Sequence, residues 1–281
     1  MTSSSVCACK GVRTCLRCES LGNTSNEAAR RQTEQTWRDT YQLSLEHACN
    51  RLIQLHTYSG PERCSHLELT DCKSLEFEGI KLIENFITLE QESKLVQCID
   101  SNPWKDSQSG RRKQDYGPRP NFKKKKLKLG SFSGLPAYSK SIVSALHLLP
   151  GLDSFKPVEQ CNLEYLPERG SAIDPHIDDE WLWGEQLITL NLLSDTFLTF
   201  VKEELNVEVR VPLPRLSLLI VSGAARHSWK HAIYRRDIYD RRIAITFREL
   251  SVEFREPGGG QHEIGEKLEQ IACQFDGQCC I

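Results

Sequence analysis

Hydrophobic positions fall into two textures along the chain. Between Pro157 and Leu250 they come in short runs, VEQCNLEYL, ITLNLLS, TFLTFV, VEVRVPL, LSLLIVSG and RRIAITFREL, each closed by a turn. Runs of this length and density predict the strands of a sandwich or barrel, not βαβ units, which need a helix between strands. The last run alternates: Ile243, Ile245 and Phe247 face one way, and Arg242, Ala244, Thr246 and Arg248 the other.

On either side the apolar residues recur at helical spacing. Trp37, Tyr41, Leu45, Ala48, Leu52 and Leu55 predict one amphipathic helix over 26–58. GIKLIENFI predicts a strand, and Thr88 with Gln91 forms the capping-box signature of a helix reaching about Cys98. A second helix is expected over 135–149, ended by the Pro150-Gly151 turn. Beyond the EPGGGQ linker, Ile264, Leu268, Ile271 and Phe275 share the face of a final helix. The expected organisation is a cysteine-rich segment over 1–24, a helical extension over 25–75, a main domain over 76–255, and a linker with a helix over 256–281. The fold class is mainly β with flanking helices.

Composition changes this picture little. The chain has 281 residues, 39% hydrophobic and 26% charged, as globular chains do, and a formal net charge of -2 that selects no partner. MTSSSVCACKGVR lacks an apolar leader core, and no run of 18 uncharged apolar residues occurs. A protein that is neither secreted nor membrane-spanning is therefore expected, and the basic run RRKQDYGPRPNFKKKKLK is compatible with nuclear import. In that setting the 12 cysteines read as thiols or metal ligands before disulfides. Cys7, Cys9, Cys15 and Cys18 lie close enough to converge on one tetrahedral zinc, with free thiols the alternative. His47, Cys49, Cys64, His66 and Cys72 read as incidental. QCCI lacks the fourth-last cysteine of a prenylation box.

The candidate chemistry starts at DPHIDD, where His176 and Asp178 leave the same face of an extended backbone. An imidazole and a carboxylate so placed are two parts of a 2-His-1-carboxylate site for non-haem iron. A polar turn is the competing reading. The third ligand is sought in SGAARHSWKHAIYR, where His231, at the head of a strand, is preferred to His227 in the preceding loop. Arg242 and Arg248 stand about 20 Å apart on one face of a strand, where burial demands an anion. A small dicarboxylate gripped between them would serve, because the guanidinium fork binds carboxylates bidentately. Two arginines on the solvent face of an edge strand is the alternative. Trp181 and Trp183 read as packing residues, Asp179 and Glu180 as solvated, and Asp174 as a turn residue.

The order H-x-D, distal His, R-x5-R resembles the AlkB family of iron(II)- and 2-oxoglutarate-dependent dioxygenases, most closely its homologue-four branch. PWKDSQSGRRKQDYGP, VEQCNLEYLPERGSAIDPHIDDEWLWGE, GAARHSWKHAI and RRIAITFRELS carry the resemblance over about Phe77 to Leu250, and CACKGVRTCLRCE extends it. It implies a double-stranded β-helix, a jelly roll. It also implies Fe(2+) on His176, Asp178 and His231, and 2-oxoglutarate held by Arg242, Arg248 and Tyr165, with dioxygen as co-reactant. Oxidative decarboxylation to succinate would drive hydroxylation of an N-methyl group, which leaves as formaldehyde. Where the family has Asn-x-Tyr this chain has N-L-E-Y, so Asn162 falls on the face opposite Tyr165 unless a bulge intervenes. RRKQDYGPRPNFKKKKLK carries nine Lys or Arg against one Asp. The family uses this region as a substrate lid, which here would involve Arg111, Arg112, Tyr116, Lys123 and Lys124. A solvated loop and a dock for an acidic protein are the other readings of the run. The branch is associated with a methylated protein partner, a lysine of actin, and also with N6-methyladenine in DNA. A non-catalytic binding module and a hydrolytic zinc enzyme are the alternatives from other classes. The intact triad argues against the first and the arginine pair against the second.

Overall fold

The short apolar runs become strands. The computed structural model describes residues 7–10, 13–21, 37, 39–43, 52–55 and 77–279. The first strands are β1 (Asp39–Leu43), β2 (Leu52–Leu55), β3 (Ile80–Ile83), β4 (Lys105–Asp106) and β5 (Arg112–Tyr116). A two-stranded ribbon follows, β6 (Arg119–Asn121) with β7 (Lys126–Lys128). Then come β8 (Pro157–Tyr165), β9 (Ile173–His176), β10 (Trp183–Leu192) and β11 (Thr196–Lys202). The series ends with β12 (Val207–Leu213), β13 (Leu218–Val221), β14 (Lys230–Ile233) and β15 (Arg242–Leu250).

From β8 onward, successive strands are shared between two sheets. One has the order β3-β13-β10-β15-β8-β5-β4 and the other β2-β1-β12-β11-β14-β9. Removing the additions at the edges leaves four strands facing four, the jelly roll. Its interior is lined from both sides, by Leu163, Tyr165 and Ala244 of one sheet and Ile173, Leu198 and Ile233 of the other. Alternation along β15 separates two environments. Ile243, Ile245 and Phe247 are fully buried and share one apolar cluster with Ile99, Leu146 and Leu268 of the flanking helices. Each such side chain contributes roughly 1.5–3 kcal/mol by leaving water. Arg242, Ala244, Thr246 and Arg248 line the space between the sheets.

The helix at Leu89–Asp100 starts with the capping box read from the sequence: Thr88 Oγ1 accepts from Gln91 N–H at 3.2 Å, and Gln91 Oε1 from Thr88 N–H at 2.8 Å. The stretch after Leu135 is shorter than expected. A 3-10 turn at Ala137–Ser139 leads into a helix at Lys140–Leu146. The last helix, His262–Ala272, is fastened to the body by Leu135 N–H on the Ala272 carbonyl (3.2 Å) and by the buried Leu268.

The amphipathic helix expected over 26–58 needs correction. Its described parts are β1 and β2, an antiparallel pair whose first member lies parallel along β12, with Tyr41 opposite Val209. Tyr41 and Leu43 are buried while Thr40 and Gln42 are half-buried, a period of two over a segment too short to separate from 3.6 by sequence. The open edge of β12 decides the matter by supplying backbone partners that a helix cannot use. Leu45, Ala48, His47, Cys49, Cys64, His66 and Cys72 lie outside the described residues. Among the described residues no helix is long and apolar enough to cross a membrane.

Glu92, 1% exposed, joins the helix to the turn after β10: it accepts from Leu193 N–H at 2.7 Å and pairs with the Arg215 guanidinium. Glu92→Ala should cost about 1–2 kcal/mol, chiefly by orphaning Leu193 N–H, since the 42% exposed Arg215 side chain can turn to water. The denaturant midpoint should fall at unchanged slope, whereas Lys94→Ala in the exposed Lys94–Glu90 pair should hardly move it.

Candidate active site

The pairing of β9 with β14 builds the centre. The two strands run antiparallel with His231 directly opposite His176, and the register slips between His231 and Ile233. The ring centroids lie 4.3 Å apart. Asp178, just past the end of β9, brings Oδ1 to 3.5 Å from His176 Nε2. One ligand atom from each of His176, Asp178 and His231 falls within 4.8 Å of the others. His227 is elsewhere. It ends the short helix at Gly223–His227, with its ring nitrogens 2.7 and 2.8 Å from Glu180 and Glu185.

Protonation and orientation suit a metal. His176 Nδ1 lies 2.9 Å from the Asp174 carbonyl, which can only accept. An Nδ1–H donated to that carbonyl would leave the Nε2 lone pair, 3.5 Å from Asp178 Oδ1, for a metal. Burial, with His176 alongside, pushes the His231 pKa down to about 3, so this imidazole keeps a lone pair for a metal. Burial pushes Asp178 up, but Arg248 and the imidazoles prevail and hold it well below the usual carboxylate range. Arg248 Nε donates to Asp178 Oδ2 at 2.9 Å, which leaves Oδ1 for the ion. Arg226, buried, donates from Nη1 to the Asp178 carbonyl at 2.9 Å.

The two arginines of β15 have different surroundings. Arg248 is already paired, with Asp178 and, from Nη1, with Glu159 Oε2 at 2.5 Å. Arg242 is 1% exposed, and no carboxylate reaches it among the described residues. Its Nε donates to Asn191 Oδ1 at 2.6 Å, its guanidinium lies 4.8 Å over the Tyr165 ring, and Nη1 has no partner. An orphaned donor on a buried cation, in the same cavity as the triad, fits a ligand with a carboxylate at its far end. The residues present thus fit Fe(2+) on the triad and 2-oxoglutarate between triad and Arg242, and a bound iron would supply the activation of dioxygen. Tyr165, opposite Arg242 in the β8–β15 register, would close the far end.

That register runs unbroken from Tyr165 to Glu159, so no bulge turns Asn162 inward. Asn162 instead donates to Gln114 Oε1 and Tyr138 Oη, both at 2.8 Å, in a buried network outside the cavity. The lid residues divide in two. Arg111 and Tyr116 are buried, and Arg112 pairs with Glu164, because β5 is a strand of the larger sheet and not a free loop. Lys123 and Lys124 are exposed on the turn between β6 and β7, where Phe122 meets Trp181 edge-on at 6.3 Å. Cys7, Cys9, Cys15 and Cys18 converge within 4.8 Å of one another. Asn191, Glu159 and Arg226 escaped the sequence reading. Asn191 alone left a signal, a polar residue at the centre of the apolar run ITLNLLS.

A jelly roll with a His-Asp-His centre and a buried arginine facing it defines the class, the 2-oxoglutarate-dependent metal oxygenases. No family model matches the chain. It is similar to alpha-ketoglutarate-dependent dioxygenase alkB homolog 4 of Homo sapiens, 46% identical over 302 residues that cover 97% of this chain and 95% of the human protein. It is also similar to the DNA N6-methyl adenine demethylase of Caenorhabditis elegans, 34% identical over 273 residues, covering 93% of this chain and 92% of the nematode protein. A solved structure of OsALKBH1 aligns at 13% identity and a TM-score of 0.45, covering 62% of this chain and 98% of that one. The chain belongs to the AlkB family of alpha-ketoglutarate-dependent dioxygenases. It is an oxidoreductase, and its reaction is a 2-oxoglutarate-dependent demethylation.

Three variants separate the roles. Asp178→Ala should lower succinate formation at least a hundredfold through lost iron, while His227→Ala stays within about twofold. Arg242→Met should raise the KM for 2-oxoglutarate about a hundredfold, with iron content unchanged. All three are read from succinate yield against oxo-acid concentration, with iron measured on the same samples.

Proposed function

We propose that the protein removes a methyl group from a lysine of a protein substrate, actin being the candidate that the homologue-four branch implies, in the cytoplasm and nucleus. The observation that carries this reading is the sign of the charge beside the triad. Asp179, Glu180 and Glu185 are exposed carboxylates on the segment that continues from Asp178. Even with His227 shared between Glu180 and Glu185, the three leave net negative charge, which attracts a methylammonium side chain and repels a phosphate backbone. The near full-length likeness to the human and mouse alkB homolog 4 proteins supports the branch assignment from which the actin candidate is taken. The chain's own residues orient the reaction: Arg248 fixes the Asp178 carboxylate, Arg242 and Tyr165 fix the oxo-acid, and aliphatic side chains such as Ile173 and Leu198 exclude water.

Demethylation of N6-methyladenine in DNA is the second reading. The exposed Lys123, Lys124, Lys125 and Lys126 with Phe122 can track phosphates and stack on a base, and the nematode relative is named for that activity. Formaldehyde release from methyl-lysine actin and from a methylated-adenine oligonucleotide, offered side by side, tests the choice. The protein substrate should be turned over at least about tenfold faster. Glu180→Gln with Glu185→Gln should lower turnover of methyl-lysine about three- to tenfold and leave the oligonucleotide unchanged or improved. Preferred turnover of the oligonucleotide would refute the lysine assignment.

A further inference from the structure

The first described residues form a compact knuckle that the oxygenase chemistry does not use. Cys7, Cys9, Cys15 and Cys18 bring their sulfurs within 4.8 Å of one another, with Cys7 to Cys18 at 2.8 Å and Cys15 to Cys18 at 3.5 Å. All four are free thiols, and Cys15 and Cys18 are buried. We propose that these four cysteines hold a structural zinc ion, and that this ion fastens the N-terminal segment to the two loops that lead into β5 and β9.

Three observations carry the assignment. The first is size. A tetrahedral zinc with Zn–S bonds of about 2.3 Å holds its sulfurs about 3.8 Å apart, whereas an iron–sulfur cluster with bridging sulfides spreads its thiolates further. A sulfur set confined within 4.8 Å suits one mononuclear ion, with the Cys7–Cys18 pair opening by about 1 Å to admit it. The second is charge. From Cys7 to Cys18 the chain carries Lys10, Arg13 and Arg17 and no acidic residue, which balances the two negative charges of a zinc tetrathiolate. The third is the outer shell. Backbone hydrogen bonds at Gly110 and Ser109 reach the Cys9 sulfur, the support that metal thiolates normally receive.

The same contacts explain what the ion would do. A Cβ on Gly110, where φ is +73°, would lie 2.4 Å from the Arg169 carbonyl oxygen and 3.2 Å from Cys15 Cβ. One on Gly170, at φ +60°, would lie 2.7 Å from Leu16. The knuckle therefore rests on two loops that have no room for a side chain. Those loops are tied together by Ala172 N–H on the Ser109 carbonyl at 2.9 Å, and by Ser171 Oγ and Arg169 Nε on the Gly110 carbonyl, both at 2.8 Å. Arg235 adds a clamp, its two terminal nitrogens 3.0 and 2.9 Å from the Glu19 carboxylate. Ala172 is followed by β9, which ends on the iron ligand His176.

The test uses the full-length chain purified under reducing conditions without chelator. Zinc content and zinc-edge X-ray absorption should show about one zinc per chain, with four sulfurs at about 2.3 Å. The double variant Cys9→Ser with Cys15→Ser should lose the sulfur-bound zinc. It should exchange amide hydrogens at least about tenfold faster over 105–112 and 169–176, and unchanged over β10. Absence of zinc, zinc with only nitrogen and oxygen neighbours, the visible absorption of an iron–sulfur cluster, or disulfides among the four cysteines would overturn the site. Sulfur-bound zinc with unchanged exchange in the variant would overturn the bracing role. Should the variant fail to fold, the sulfur shell in the wild-type chain still decides whether the site exists.

Discussion

The antiparallel contact between β9 and β14 is the constraint on which the centre depends. Neither strand is long, at four residues each, and each owes its place to the sheet around it. β14 is held by β11 on its other side, with Phe200 opposite His231, and β9 is the edge strand with β14 as its partner. A slip of one residue would turn His231 to the opposite face and scatter the ligand set, because side chains alternate along a strand. The jelly roll prevents this by burying Ile233 and Phe200 on either side of the contact. Packing and metal chemistry are therefore one requirement here, imposed on the same few residues.

The second organising element is β15, which serves two environments at once. Its apolar positions anchor the sheet on the helices, and its polar positions furnish the cavity. Placing two guanidinium groups on such a strand is costly unless each finds an anion. Arg248 finds two within the protein and so acts on the metal side by orienting Asp178. Among the described residues Arg242 meets the Asn191 amide oxygen and the Tyr165 side chain, and no carboxylate. The unequal treatment of two like residues is the clearest mark of which one awaits a ligand.

Much of this was legible beforehand because the signals were local. The strands from β8 to β15 announce themselves by short apolar runs, and the alternation along RRIAITFREL already put both arginines on one face. The capping box at Thr88 needs only four residues to be recognised. What escaped depends on distant partners. β1 and β2 are strands because the edge of β12 is open to them, and no pattern within 39–55 records that. The basic run looked like one lid, yet its first half pairs with β8, and its exposed cations lie on the β6–β7 ribbon and its turn. Glu159 and Arg226 owe their roles to the third dimension alone, and neither stands out from its neighbours in the sequence.

The position of Arg242 has a consequence for the end of the catalytic cycle. The guanidinium would read the carboxylate of 2-oxoglutarate that the reaction leaves untouched, and succinate retains that group. Substrate and product would therefore make the same contact with Arg242 and Tyr165. Discrimination must come from the other end of the cavity, beside His176, Asp178 and His231, where the oxo-acid offers two oxygen donors and the shortened product offers a single carboxylate. The arginine supplies uniform binding, which holds the molecule without favouring either state. Turnover then depends on how readily the product leaves the metal end of a pocket whose far end still holds it.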